Sequence, residues 1–273
     1  MMKFKDKNVY IPGGSSGIGL STAQQLAALG ANVIIFARNK QRLEKAVDQI
    51  KGNRIDESQR VLYMQLDVSN NDVVKKVMTK AVADFGVPDI LINCAGRAYP
   101  HYFQDISFKQ FDETMKINLY GTWSTVAALV PYMKTRGGHI INVSSIAGLL
   151  GVFGYTDYSA SKFAVIGFSE ALRSELKRHN ILVSVLCPAD TNTPGFEEEN
   201  KTKPPETVAI SETASIFDPD DMARALIKKI GTNKFIIAPG VMSRITILLK
   251  RLLPGLVEFI MDSDIKKVQK KLN

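Results

Sequence analysis

Short apolar runs alternate with helix-length amphipathic stretches along most of this chain, and that alternation restricts its fold more than any other feature. The apolar runs are Asn8–Pro12, Asn32–Arg38, Arg60–Asp67, Asp89–Cys94, His139–Ser145, Leu182–Pro188 and Lys234–Ala238. Between them lie the helical patterns Gly17–Leu29, Lys40–Lys51, Asn70–Phe85, Phe108–Thr135, Tyr158–His179 and Pro219–Ile230. Strands that are apolar throughout, not at every second residue, are buried on both faces, as happens when helices cover both sides of a parallel sheet. Repeated strand–helix alternation implies right-handed crossovers and an α/β fold with a doubly wound, seven-stranded parallel sheet of the Rossmann type. A chain of 273 residues can bury one sizeable core. With no repeat, low-complexity tract or linker, one domain is expected over 1–240, followed by an amphipathic, basic extension over 241–273. One polar, Pro-containing segment, Asn192–Phe217, breaks the alternation and predicts a loop or substrate lid over 192–217.

The first apolar run leads into Pro12-Gly13-Gly14-Ser15-Ser16-Gly17-Ile18-Gly19 and then a helix. Glycines at 13, 17 and 19 leave no Cβ in the way of a pyrophosphate, and the helix N-terminus supplies N–H groups and positive dipole. Strand before, helix after and a βα repeat downstream point to a dinucleotide site. No Gly-Lys-Ser/Thr follows, which argues against a nucleotide triphosphatase loop. The second run ends in Phe36-Ala37-Arg38-Asn39, without the acid that would hold the ribose hydroxyls of NAD. Arg38, with Ser15 and Arg42, is expected to grip a 2′-phosphate instead. The cofactor expected is NADPH.

Tyr158-Ser-Ala-Ser-Lys162 opens a later helical pattern, so Tyr158 and Lys162 fall on one face, one turn apart. A phenol with a pKa near 10 is a poor acid–base catalyst at neutral pH. A neighbouring ammonium, reinforced by a positively charged nicotinamide, is expected to lower it. Ser145, at the end of a strand thirteen residues before Tyr158, can hold a substrate oxygen. Ser144 competes for that role, but adjacent strand residues point to opposite faces, so only one can serve.

From residue 7 to about 240 the chain resembles the short-chain dehydrogenase/reductase family. The resemblance rests on Gly13–Gly19, Asp67-Val68, Asn93-Cys94-Ala95-Gly96, Asn118 within Lys-Ile-Asn-Leu, Ser145, Tyr158 through Lys162, and Pro188 through Thr193. It implies Tyr158 as proton donor in carbonyl reduction, Ser145 orienting the carbonyl, Lys162 binding the ribose and lowering the tyrosine pKa, and Asn118 holding a water in a proton relay. The thirteen-residue spacing favours Ser145 over Ser144. It further implies cofactor contacts from Ser16 and Ile18 in the glycine turn, Asp67 and Val68 beside the adenine, Asn93, Ala95 and Gly96 near the ribose and sheet edge, and Pro188, Thr191 and Thr193 near the carboxamide and phosphates. Two departures stand out: Pro12 where the family usually has Thr, and Ala189 where Gly is common after Pro188. Both are expected to weaken local bracing without abolishing binding. By analogy with the family, a homodimer or homotetramer is expected through the helices after the fourth and fifth strands.

Within the family, Pro188 through Thr207, Ile210–Thr213 and Val143–Tyr158 are similar to the 3-ketodihydrosphingosine (3-ketosphinganine) reductases. That likeness implies NADPH-dependent reduction of a long-chain 3-keto amine to dihydrosphingosine, a step of sphingolipid synthesis. Glu197, Glu198 or Glu199 would then pair with the substrate ammonium, unless the three form a solvated acidic run. Eukaryotic members of that group carry an N-terminal membrane segment with no counterpart here. The alternatives are a 3-oxoacyl thioester reductase or a steroid/retinoid-type dehydrogenase, which would use the same Asn118, Ser145, Tyr158 and Lys162. A non-catalytic dinucleotide-sensing protein on the same fold would be expected to break the Tyr/Lys pair, which is intact.

The formal net charge is +8, and Arg244–Asn273 holds seven basic against three acidic residues, so half of the excess lies at the C-terminus. That asymmetry suits an anionic surface, while the absence of zinc-finger spacing and of basic runs interleaved with aromatics argues against nucleic acid. Within Val241–Met261, Arg244, Arg251 and Glu258 recur every seven residues on an otherwise apolar helical pattern broken at Pro254-Gly255. Such a face either lies in a membrane interface or packs on the protein itself. No secretory signal and no run of about 18 uncharged apolar residues is present, so no spanning helix is expected. Cys94 and Cys187 read as buried free thiols in a reducing compartment. The expected location is cytoplasmic, peripheral to a membrane if the C-terminal face meets lipid. No metal site is expected.

Overall fold

A computed structural model describes residues 4–212 and 215–272. Met1–Lys3 of the chain start, Thr213 and Ala214 of the lid region, and Asn273 lie outside the described residues. Seven parallel strands form one sheet: β1 (Asn8–Pro12), β2 (Asn32–Ala37), β3 (Val61–Gln65), β4 (Ile90–Asn93), β5 (Gly138–Val143), β6 (Ile181–Leu186) and β7 (Ile236–Ile237), in the order β3-β2-β1-β4-β5-β6-β7. The doubly wound parallel sheet expected from the sequence is therefore present. Helices α1 (Gly17–Ala27), α2 (Lys40–Lys51), α3 (Asn71–Phe85), α4 (Phe108–Met115), α5 (Gly121–Met133) and α6 (Thr156–Leu176) supply the crossovers.

The apolar strands need two covering layers because successive side chains point to opposite faces. Val9, Ile11, Val33, Ile35, Ile90 and Ile92 pack with Leu26 of α1 and Leu43 and Ile50 of α2. Their alternates Tyr10, Ile34, Phe36, Leu91 and Ile140 pack with Met78 and Phe85 of α3 and Leu129 and Met133 of α5. Each buried Leu, Ile or Phe contributes about 1.5–3 kcal/mol of transfer free energy, so the two layers together hold the sheet between helices.

Three departures from the sequence reading bear on the site. The pattern Phe108–Thr135 is interrupted: a π-helical turn, Lys116–Tyr120, joins α4 to α5. Such a turn inserts a residue into the helical repeat, and here it contains the buried Asn118. The region expected as a loop or lid instead folds into α7 (Pro194–Asn200) and α8 (Pro205–Glu212). Pro194 takes a first-turn position, and the Thr193 hydroxyl accepts from the Phe196 N–H at 3.1 Å, which is how a polar, Pro-containing stretch starts a helix. Finally, β5 stops at Val143, so Ser145 follows the strand and does not end it. After α9 (Pro219–Ile227) and β7, the C-terminal residues form α10 (Val241–Leu252) and α11 (Pro254–Leu272), parted at Leu253 where proline ends one helix and opens the next.

Candidate active site

In the strand order, β1 is flanked by β2 and β4, so the chain reverses its direction of winding there and leaves a crevice at the C-terminal ends of the strands. A cavity of roughly 1260 Å³ opens from that crevice. One end is the turn after β1. Gly13 has φ +83°, and a Cβ there would stand 2.4 Å from the Ala95 amide nitrogen. At Gly19 it would stand 2.3 Å from the Gly13 carbonyl oxygen. No other residue fits either place. Ser16 precedes α1 in extended conformation without capping the helix through its side chain, and the first turn of α1 holds no acid. The helix therefore presents open N–H groups and its positive dipole end to the cavity, as an anion requires.

The lining continues from Gly13, Ser15, Ser16, Gly17, Ile18 and Gly19 past Arg38, Arg42, Asp67 and Val68, then Ala95 and Gly96, to Tyr158, Lys162, Pro188, Thr191 and Thr193. Among the described residues neither Arg38 nor Arg42 makes an ion pair within 4 Å. The donor set, a glycine cradle, a helix N-terminus and two unpaired guanidinium groups along an extended cleft, fits a nicotinamide dinucleotide.

Two residues expected at this surface do not reach it. Asn93 donates from its amide to Asn142 Oδ1 at 2.9 Å and accepts from Thr125 at 2.8 Å, tying β4 to β5 and α5. The side chain of Asn93, a residue expected near a ribose, is thus engaged inside the sheet layer. Asn118 is equally buried; its Oδ1 accepts from the Arg97 N–H at 2.9 Å, while its Nδ2 donates to the Arg97 carbonyl and to Ser161 Oγ. It braces the wall behind Gly96, where a Cβ would meet Lys162 Nζ at 3.3 Å and Asn118 Oδ1 at 3.4 Å.

Tyr158 and Lys162 stand one turn apart in α6 on the same side of the sheet. The Lys162 ammonium lies 5.5 Å from the Tyr158 ring centre and donates to the Val143 carbonyl at 2.9 Å. The Ser145 hydroxyl faces the Tyr158 phenol closely enough to favour its ionised form, and it accepts from the Ala147 N–H at 3.1 Å. Ser144 points away, donating to the Lys162 carbonyl at 2.9 Å in the interior. Of the two serines, Ser145 alone shares the space in front of the phenol.

The charges here differ from the expectation. Burial, more than any other effect, pushes the Tyr158 phenol above its usual value; the Glu199 carboxylate adds to this, and the Ser145 hydroxyl opposes it. Burial likewise lowers Lys162 to about 8. In the protein alone the ammonium does not bring the phenol down: a low-dielectric pocket disfavours the charged form of both groups.

Three side chains beside the phenol were missed or left undecided by the sequence. Tyr155, the residue just before α6, packs against Tyr158 with ring centres 5.6 Å apart and planes tilted by 52°. Its hydroxyl donates to Glu199 Oε1. Of the three glutamates considered above, Glu199 alone turns inward, while Glu198 pairs with Lys201 at 2.6 Å on the exposed side. Asp190 also lines the cavity. Beyond these, Val241, Met242, Ile245, Leu249, Val257 and Ile260 of α10 and α11 form an apolar wall.

The family model for short chain dehydrogenases matches residues 7–204. A 3-ketodihydrosphingosine reductase of Bos taurus is 42% identical over 223 residues, covering 81% of this chain and 67% of the relative. The enzyme of the same name from Dictyostelium discoideum is 36% identical over 272 residues, covering 94% and 80%. Among solved structures, a short chain dehydrogenase/reductase from Burkholderia phymatum in complex with NAD superimposes with a TM-score of 0.82 at 25% identity, covering 94% of this chain and 96% of that one.

Proposed function

The chain belongs to the short-chain dehydrogenase family, and from that premise we propose that it reduces the 3-keto group of 3-ketodihydrosphingosine to a secondary alcohol with NADPH. The observation that carries the reading is the trio of Tyr158, Ser145 and Lys162 at the head of a cavity whose far wall is apolar over two helices. Relatives named for that reaction match over most of the chain, and an apolar wall of this length suits a long alkyl chain better than a polar carrier arm.

When bound, the reduced nicotinamide supplies the hydride. The residues of this chain do the rest. The turn Gly13–Gly19 and the α1 N-terminus would hold the pyrophosphate, and Arg38 with Arg42 and Ser15 would hold the 2′-phosphate. Thr191 and Thr193 border the nicotinamide end. The Ser145 hydroxyl orients the substrate carbonyl, and Tyr158 gives its proton to the developing alkoxide. A phenol held neutral by burial is already loaded for that donation. Once the proton has left, the Ser145 hydroxyl and the Lys162 ammonium stabilise the phenolate. Lys162 also binds the ribose hydroxyls. Asn118 serves the proton relay by fixing the Gly96–Arg97 wall against which Lys162 and a relay water rest.

Two further features enter the proposal. Phe108 is 81% exposed, and Tyr120, Trp123 and Phe163 are also exposed on α4, the π-turn, α5 and α6; that aromatic face supports a homo-oligomer. Among the described residues no helix is long and apolar enough to cross a membrane. Leu252 and Phe259, 67% and 71% exposed, point outward beside Lys250 and Arg251, which supports peripheral contact of α10 and α11 with an anionic bilayer. NADPH oxidation measured with long-chain 3-keto amines, 3-oxoacyl thioesters and steroids tests the central reading. Turnover confined to thioesters or steroids overturns it.

A further inference from the structure

A 2-amino-3-ketone presents its charge close to the reacting carbon. The amine nitrogen is two covalent bonds of about 1.5 Å each from the carbonyl carbon. With the carbonyl oxygen within hydrogen-bond reach of the phenol, roughly 2.6–3.2 Å, the ammonium must settle beside Tyr158 in a buried pocket. An unpaired ammonium there would be costly.

Two carboxylates of the cavity lining, Glu199 and Asp190, act on the phenol, and Glu199 is the one tied to it through Tyr155. Glu199, on the last turn of α7, has a side chain only 16% exposed. Its Oε1 accepts from the Tyr155 hydroxyl, and the Tyr155 ring leans on that of Tyr158. A carboxylate offers about four lone-pair sites, and among the described residues Tyr155 occupies one of them. Lys203 is the nearest cation, at 3.9 Å. That is beyond hydrogen-bonding range. The Lys203 ammonium is held instead over the Phe196 ring at 4.2 Å and by Ser211 Oγ at 3.2 Å. Asp190 adds a second negative charge, felt at Tyr155, Tyr158 and Glu199 alike. The substrate end thus carries an excess of negative charge with acceptor capacity to spare. A neutral 3-oxoacyl chain, with a plain methylene at the same position, would gain nothing from it.

We propose that Glu199, held in place by Tyr155, is the specificity-determining residue that receives the substrate ammonium and so selects amino ketones over neutral ketones. The inference rests on the reductase reading above and deepens it. Tyr155 is the positioning residue: its hydroxyl fixes the carboxylate, and its ring sets the distance to the phenol. Glu198, one residue back along α7 and so about 100° round the helix, is exposed and paired with Lys201, and takes no part.

The test compares kcat/KM for 3-ketodihydrosphingosine with that for the same long-chain ketone lacking the amine, in the wild type, Glu199→Gln and Glu198→Gln. The wild type is expected to prefer the amine. Glu199→Gln should lose that preference by about tenfold or more, mainly through KM, the range in which truncating one partner of a buried charge pair falls. Glu198→Gln should retain it. Should the glutamine variant not fold, Glu199→Asp serves, keeping the charge but withdrawing it by one methylene; an intermediate loss of preference is expected. A wild-type preference preserved in Glu199→Gln, or an equal loss in Glu198→Gln, overturns the assignment while leaving the reductase standing. A wild type that turns over thioesters and no keto amine overturns both.

Discussion

Lys162 stands in the interior, 4% exposed, with the Val143 carbonyl as the acceptor of its hydrogen bond. Its pKa falls from 10.5 to about 8 because burial disfavours the ammonium. A base whose pKa drops on folding weakens the fold wherever both states carry the charge, here below about pH 8. The penalty fades as the pH climbs from about 8 toward 10.5, where the unfolded chain also loses its proton. At about 1.4 kcal/mol for each tenfold, the penalty at pH 7 is about 3 kcal/mol. Lys162→Met keeps the volume and removes the charge, but strands the Val143 carbonyl at about 1–2 kcal/mol. The variant should therefore be more stable than the wild type by about 1–2 kcal/mol at pH 7, which raises Tm by roughly 3–6 °C in a chain of this size. It should also have no measurable reductase activity, since the phenolate loses its stabilising cation and the ribose its donor. Thermal melts of both proteins at pH 7 and pH 10 check this. The gain should shrink or reverse at the higher pH. A variant that melts at or below the wild type at pH 7, or whose advantage is the same at both values, refutes the idea that the catalytic ammonium is kept at the expense of stability.

The same pKa sets the pH dependence of the reaction: kcat/KM for ketone reduction should fall as pH rises through about 8 with loss of the Lys162 proton, and a profile level to pH 10 would contradict this. Arg38→Ala should weaken NADPH binding by about 10- to 100-fold, the worth of a charge-assisted contact, with little change for NADH; fluorescence titration reads both, and equal losses would remove the 2′-phosphate from the account. Wild-type protein should float with anionic vesicles and Phe259→Glu should float less; wild type left in the soluble fraction defeats the membrane contact. Gly13→Ala, whose Cβ would meet the Ala95 nitrogen at 2.4 Å with φ at +83°, should lower Tm by several degrees and weaken NADPH binding, and an unaltered melt would show the turn to be less constrained than its geometry implies.

The sheet was legible because burial on both faces leaves an unmistakable mark: Val-Ile-Ile-Phe in β2 has no reason to be apolar throughout unless helices cover both sides. The glycine turn and the Tyr158/Lys162 pair were legible because each needs particular residue types at fixed spacing. The π-turn was not, since Lys116–Tyr120 continues an ordinary helical pattern and its inserted residue is enforced by packing around Asn118. The side-chain partners of Asn93 were equally hidden, since Asn142 and Thr125 lie far off in sequence. Helices α7 and α8 were hidden behind prolines that sit at their first turns. The phenol's raised pKa could not be read at all, because it depends on Glu199 and on depth of burial, which arise only when α7 folds across the mouth of the cavity.

The cofactor end of the cavity and its apolar wall come from stretches of chain that do not overlap, with α7 between them. Everything expected to touch the dinucleotide comes from before residue 194, whereas the apolar wall comes from α10 and α11, after residue 240. Hydride chemistry and hydrocarbon measurement are thus written in separate parts of the polypeptide. Substitutions in the last thirty or so positions could retune which tail length is accepted while the nucleotide half stays untouched, so relatives sharing one catalytic apparatus are free to drift apart in the lipids they accept.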